Sequence, residues 1–257
     1  MTAEPPETAR VQVAGGKLEV LDLPGADDRA PLVLLHEGLG SVALWRRFPA
    51  LLAAATDRRV IAFSRFGHGR SQPPATPRTR AFFHEEALEV LPALLREVDA
   101  ERPVLIGHSD GGSIALIAGG ALPVTGIVVL AAHVFVEEMA VTEITRARAA
   151  FVDGDLRARM ARHHDDPDAA FWGWCDVWLD PAFRAWSLDS DAARITAPTL
   201  VIQGVDDAYG SLAQVDRIVA AIGRSAERLI VPGGHSPHLE RPEELVAAIA
   251  QFTAALA

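Results

Sequence analysis

In the stretch VLIGHSDGGSIAL, residues 104–116, a serine stands between two glycines, after an apolar β-branched run and before a run of small, helix-compatible residues. A strand that turns sharply into a helix lifts a serine hydroxyl above the sheet edge. That turn tolerates no Cβ on its close neighbours, and Gly107, Gly111 and Gly112 meet the requirement. A helix starting after Ser109 would aim its positive end at the site, and the Asp110 N–H would stand where a developing oxyanion can be held. The bland alternative is a small residue in a glycine-rich bend.

A serine hydroxyl is a weak nucleophile at neutral pH and needs an imidazole oriented by a carboxylate. Both follow later in the chain. LVIQGVDDAYG sets Asp206 and Asp207 just after an apolar run, and LIVPGGHSPHLERPEEL sets His235 in a glycine-rich loop after the next. Asp207 is the expected carboxylate, with Asp206 as the alternative. His238 is expected as a polar wall of the site.

These residues need a scaffold. VQVAGGKLEVLDL (11–23) alternates on both sides of Gly15-Gly16 and predicts a β-hairpin. Short apolar runs at 31–36, 59–64, 103–108, 126–131, 198–204 and 228–233 predict buried strands. Between them 44–55, 83–98, 211–222 and 242–256 carry helical spacing, the last opening on Pro242. Strand–helix alternation predicts an α/β fold, a mostly parallel sheet of about eight strands with helices on both faces.

From about 134 to 190 no strand is expected. The segment reads as short helices rich in large rings, with Trp172, Trp174, Trp178 and Trp186 among the chain's five tryptophans. It is read as an inserted helical cap (134–190) over a core formed by 1–133 and 191–257, and Trp172, Trp174 and Trp178 are candidate pocket residues. His133, at the entry to the cap, is expected to face the pocket. HHDDPD (163–168) superficially resembles a metal cluster, but consecutive residues on one polar turn rarely converge on an ion, so it is read as a solvated loop.

The formal charge of −10 and a pI near 5.3 disfavour phosphate backbones and anionic lipid surfaces, so neither nucleic acid nor membrane is an expected partner. Cys175 is the sole cysteine and reads as a small apolar packing residue. The opening MTAEPPETAR lacks a basic segment followed by an apolar one, which predicts a cytoplasmic protein. Oligomeric state is left open.

With Ser109 in GHSDGG, Asp207 in QGVDD and His235 in GGHSPH, the chain resembles the α/β-hydrolase superfamily over essentially its whole length. It is most similar to small capped members such as carboxylesterases, lactonases and meta-cleavage-product hydrolases. LLHEGLG (34–40) is similar to that family's His-Gly oxyanion loop, and SRFGHGRS (64–71) to its D-x-x-G-x-G-x-S turn. Two departures stand out. Glu37 follows His36 where glycine is usual, leaving the second oxyanion donor as Gly38 or, with a shifted loop, Leu39; Ser64 replaces the aspartate of the turn. His36 fits a loop-fixing residue, and His108 is expected beside the elbow. Glu37 and Asp110 would set two carboxylates near a developing negative charge. Glu37 is therefore expected to pair with Arg65 or Arg70 or with a buried backbone group, or to contact a polar or cationic part of the substrate.

The resemblance implies a serine hydrolase acting through an acyl-enzyme, with a small-molecule substrate and no metal or organic cofactor. Serine at the nucleophile position argues against the alkyl-enzyme chemistry of haloalkane dehalogenases and soluble epoxide hydrolases. Cap charge favours a small neutral ester, thioester or lactone with an apolar or aromatic acyl group: 134–190 holds six arginines against eleven acidic residues. The alternatives are C–C hydrolysis of a diketo product, a sensor with slow or no turnover, and cofactor-free oxygen or perhydrolysis chemistry.

Overall fold

The computed structural model describes residues 7–256. The ends of the expected core unit, and most of the opening segment used to predict location, lie outside them.

Eight strands form one sheet: β1 (Ala9–Val13), β2 (Gly16–Leu23), β3 (Leu32–Leu35), β4 (Val60–Phe63), β5 (Val104–His108), β6 (Gly126–Leu130), β7 (Thr199–Gly204) and β8 (Ala226–Val231). Their spatial order is β1-β2-β4-β3-β5-β6-β7-β8. β1 and β2 make the expected hairpin with Val13 opposite Gly16, and Gly15 turns it at φ +97°. β2 is antiparallel to β4, and every later pair is parallel.

The central strands are buried on both faces, which is why they read as continuous apolar runs. Strand alternation divides their side chains. Val33, Leu35, Leu105, Ile127 and Val129 meet one layer that includes Leu91, Ile114 and Ile218. Leu32, Leu34, Val104, Ile106 and Val128 meet the other, with Phe48, Leu52, Leu245 and Ile249. Replacing one of these leucines by alanine costs about 2–5 kcal/mol. The run expected as a helix over 83–98 is helical from Phe82 to Glu97 but widens into a π-turn at Glu86–Val90, just before Pro92, which has no N–H to return to the preceding turn.

Strand order places the chemistry. The chain leaves β3 and β5, adjacent in the sheet, in opposite lateral directions, so a crevice opens at their carboxyl ends. The loop after β3 and the turn after β5 flank it. β7 and β8, also neighbours, end in the loops bearing Asp207 and His235.

Between β6 and β7 run the helices Glu138–Val152, Leu156–Met160 and Pro167–Leu179 with shorter turns, and no strand among them. Cys175 is fully buried there, and burial pushes its thiol up to about 11.

Candidate active site

Ser109 holds φ +52° and ψ −118°, a conformation rare for a residue with a Cβ and costing about 1–3 kcal/mol. Its surroundings enforce it. The Ser109 N–H donates to Leu130 O at 2.9 Å and Gly112 N–H donates to Ser109 O at 2.8 Å. A Cβ on Gly107 would overlap the Gly111 backbone, and one on Gly111 would overlap the end of β3 at Leu35. The helix Asp110–Gly119 begins at once, and the Asp110 N–H has no acceptor among the described residues.

Ser109 Oγ lies 2.9 Å from His235 Nε2, and His235 Nδ1 lies 2.9 Å from both Asp207 oxygens. A carboxylate only accepts, so Nδ1 carries the proton and Nε2 presents its lone pair to the hydroxyl. Asp207 also accepts from Gln203 Nε2 and the Tyr209 N–H, each at 2.8 Å. Burial alone would raise its pKa; His235 and then the Tyr209 N–H hold it below the ordinary carboxylate value. Burial lowers His235 against the opposing pull of Asp207. Asp206 has an exposed side chain and is not in contact with His235.

The loop after β3 is a turn closed by Gly40 N–H donating to Glu37 O at 3.0 Å. His36 Nδ1 donates to Glu37 O at 2.7 Å, His68 Nε2 donates to Gly38 O at 2.9 Å, and the Arg65 guanidinium donates to the carbonyls of His36 and Glu37. Gly38 and Leu39 line the cleft, and neither N–H has an acceptor among the described residues.

The expectation for Glu37 needs correction. Arg65 binds its backbone carbonyl, and Arg70 is exposed at the turn. The Glu37 carboxylate instead sits 3.5 Å from His108 Nδ1, in space that a Cβ on Gly40 would fill. Burial would raise its pKa, but the adjacent His108 imidazole outweighs burial and holds it below the usual range. Asp110 is fully buried: Trp178 Nε1 donates to its Oδ1 at 3.1 Å, Oδ2 has no partner, and burial raises it to about 6 against the pull of Arg65 and Arg78.

The carboxylate missing at Ser64 is supplied from β2. Ser64 Oγ donates to Glu19 Oε2 at 2.8 Å and accepts from Val42 N–H at 2.9 Å.

An open cleft of about 670 Å³ of empty space, solvent-filled mouth included, lies over Ser109. Glu37, His133, Trp174 and Trp178 line it as expected; Tyr209, Ala140 and Ile144 join them. Trp172 and His238 do not. Trp172 packs against Phe151 and Phe171 with ring centroids 5.6 and 5.2 Å away, because it lies two residues from Trp174 and so on another face of the helix. His238 is buried against Trp45 at 4.8 Å and His108 at 4.6 Å. His133 has no partner on Nδ1 among the described residues, and burial lowers it to about 3. Tyr209, its ring 4.6 Å from His235, escaped the sequence reading although it follows Asp207 by two residues. His164 is buried, contrary to the solvated loop expected for HHDDPD.

Residues 32–248 match the model of a family described as the alpha/beta hydrolase family. The chain is 29% identical, over 95% of its length and 68% of the relative's, to the dihydrolipoyllysine-residue acetyltransferase component of the acetoin cleaving system of Pseudomonas putida. It is 26% identical to serine hydrolase BPHL of Mus musculus, over 75% of this chain and 68% of that one. Among solved structures it superposes with a TM-score of 0.73 and 26% identity on Est816, an N-acyl homoserine lactone degrading enzyme, covering 95% of this chain and all of that one.

Proposed function

The chain belongs to the alpha/beta hydrolase family, and from that premise we propose that it hydrolyses a small ester, thioester or lactone with an apolar or aromatic acyl group. The observation that carries the reading is the continuous contact Asp207–His235–Ser109, with 2.9 Å at each link. Ser109 Oγ attacks the carbonyl carbon while His235 Nε2 takes its proton. Asp207 keeps the imidazole in the productive tautomer and stabilises the imidazolium that forms. The Asp110 N–H and the N–H of Gly38, or of Leu39, hold the tetrahedral oxyanion. His235 then protonates the leaving alcohol, thiol or lactone oxygen, and water enters by the same route in reverse to release the acid.

Residues 134–190 act in this reading as the cap, with Trp174, Trp178 and Ile144 forming the acyl wall. Among the described residues no arginine or lysine lines the cleft, whereas Glu37 and Asp110 do, which disfavours the anionic diketo acids of C–C hydrolases.

The test incubates wild type and Ser109→Ala with p-nitrophenyl esters from acetate to octanoate, following nitrophenol release and intact mass. Rapid turnover lost in the variant is the expected result. An acyl adduct that never clears would replace this reading by a sensor, and no reaction with any ester would reject it.

A further inference from the structure

The expected cap carries a histidine that reaches under the active-site loop. His164, between the helices Leu156–Met160 and Pro167–Leu179, is buried, with its Nε2 3.0 Å from Leu39 O. Its Nδ1 accepts from Gly69 N–H at 3.0 Å, so the ring proton sits on Nε2 and Nε2 is the donor to Leu39. The next residue completes the clasp: Asp165 N–H donates to Gly69 O at 2.8 Å. Both polar groups of one residue in the 64–71 turn are thereby engaged by residues 164–165. A Cβ on Gly69 would overlap Ser64 Oγ and Glu19 Oε2, so the turn is itself fixed to β2.

His164 completes a series. Glu37 O is held by His36 and Arg65, Gly38 O by His68, and Leu39 O by His164. The other ring nitrogen accepts from Arg65 N–H at 3.0 Å in His36 and from Gly69 N–H at 3.0 Å in His164, so these two rings are neutral with one defined tautomer; His68 Nδ1 lies 3.1 Å from Arg78 Nη2 and 3.2 Å from Phe66 O. A trans peptide points its C=O and N–H in opposite directions. Holding the carbonyls of Glu37 and Gly38 therefore fixes the Gly38 and Leu39 N–H groups, the two candidate oxyanion donors. Holding the Leu39 carbonyl fixes the Gly40 N–H, which closes the turn onto Glu37 O.

We infer that His164 is a positioning residue through which the 134–190 segment braces the oxyanion loop, holding the Leu39 carbonyl and with it the Gly40 N–H that closes the turn onto Glu37 O. The catalytic part of this inference rests on the hydrolase reading above; the structural part does not.

The experiment compares His164→Ala, His164→Gln and His164→Asn in the full chain. Glutamine carries an amide nitrogen to the position of Nε2; asparagine reaches only to that of Nδ1. Removing an oxyanion donor outright costs about 10²–10³ in kcat, so loosening the loop is expected to lower kcat of the alanine variant about tenfold or more with KM within about twofold. Affinity for a trifluoromethyl ketone, which needs the oxyanion hole, should fall in parallel. Glutamine should restore most of both and asparagine little. Amide hydrogen exchange of residues 36–40 should accelerate in the alanine variant. An alanine variant with kcat within about twofold of wild type, or equal behaviour of the glutamine and asparagine variants, overturns the inference. If wild type hydrolyses no ester, the functional reading fails, and exchange at 36–40 alone decides: unchanged protection overturns the positioning role, and faster exchange upholds it.

Discussion

His108 Nε2 donates to the backbone carbonyl of His235 at 2.7 Å. The residue immediately before Ser109 thus ties the elbow to the loop that carries the imidazole, and Glu37 stands at the other ring nitrogen of His108. Two loops are joined at one ring, and a third, carrying Glu37, packs beside it. His108→Phe keeps a ring against Trp45 and His238 but leaves the His235 carbonyl without its donor. The expected result is a loss of about 1–3 kcal/mol in urea unfolding and a fall in kcat on the best ester. An unchanged kcat would separate the tie from catalysis.

In the proposed mechanism His235 must be neutral to take the Ser109 proton. Burial lowers its pKa, so the acid limb of kcat/KM should lie below 6.5, with activity full above the limb and lost beneath it. Asp207→Asn removes the group that opposes this lowering and no longer selects the productive tautomer. Its limb should move further toward acid, with kcat down by about 10³–10⁴. A pH–rate profile of both proteins decides.

Asp110→Asn retains an acceptor for the Trp178 indole and removes a buried charge beside the proposed oxyanion. On neutral esters near pH 7 kcat should equal or exceed that of wild type. A tenfold fall would mean that the carboxylate itself takes part.

Trp174 and Trp172 make a matched pair. Trp174→Ala should raise KM for aromatic and longer acyl esters, since its ring lies over Gly38 and lines the cleft. Trp172→Ala should leave KM within about twofold and lower the melting temperature through lost packing, an effect of about 3 kcal/mol at most. Equal shifts in KM would place both rings at the substrate.

Acid should weaken the fold. Burial lowers the pKa of His36, His68, His133, His164 and His238. Below about 6.5 the unfolded chain binds protons that these folded rings refuse, so stability falls with pH by up to about 1.4 kcal/mol per unit for each ring. For His133 the loss continues down to about 3. Asp110 works the other way: it is raised from 3.8 to about 6, so the folded state takes up its proton first and gains stability as pH falls through that window. Urea midpoints from pH 7.5 to 4.5 should fall steadily, and a flat profile would contradict the buried neutral histidines.

The strands, the elbow and the order of Ser109, Asp207 and His235 were legible because each is written in contiguous residues. A central apolar run buries on both faces, whereas the run at 228–233, expected to be buried, forms the edge strand β8 with Arg228 and Ile230 exposed; a glycine appears where a Cβ would strike a backbone. Trp172 and His238 could not be placed in that way. Whether a ring on a helix faces the cleft depends on helix rotation, which packing against Phe151, Phe171 and Trp45 decides. The partner of Glu37 was equally hidden, because His108 and Arg65 are both near in space and only side-chain direction chooses between them. The glutamate that serves Ser64 lies 45 residues earlier. The polar neighbours of His164 point to solvent, yet the fold buries it between two loops that the chain visits more than ninety residues before. The sequence by itself determined the sheet, the turn that strains Ser109 and the candidate residues at the strand ends, since these follow from local sterics and periodicity. Only the tertiary structure decided which polar groups meet across loops, because a hydrogen bond is set by distance and direction in space, and neither is carried by spacing along the chain.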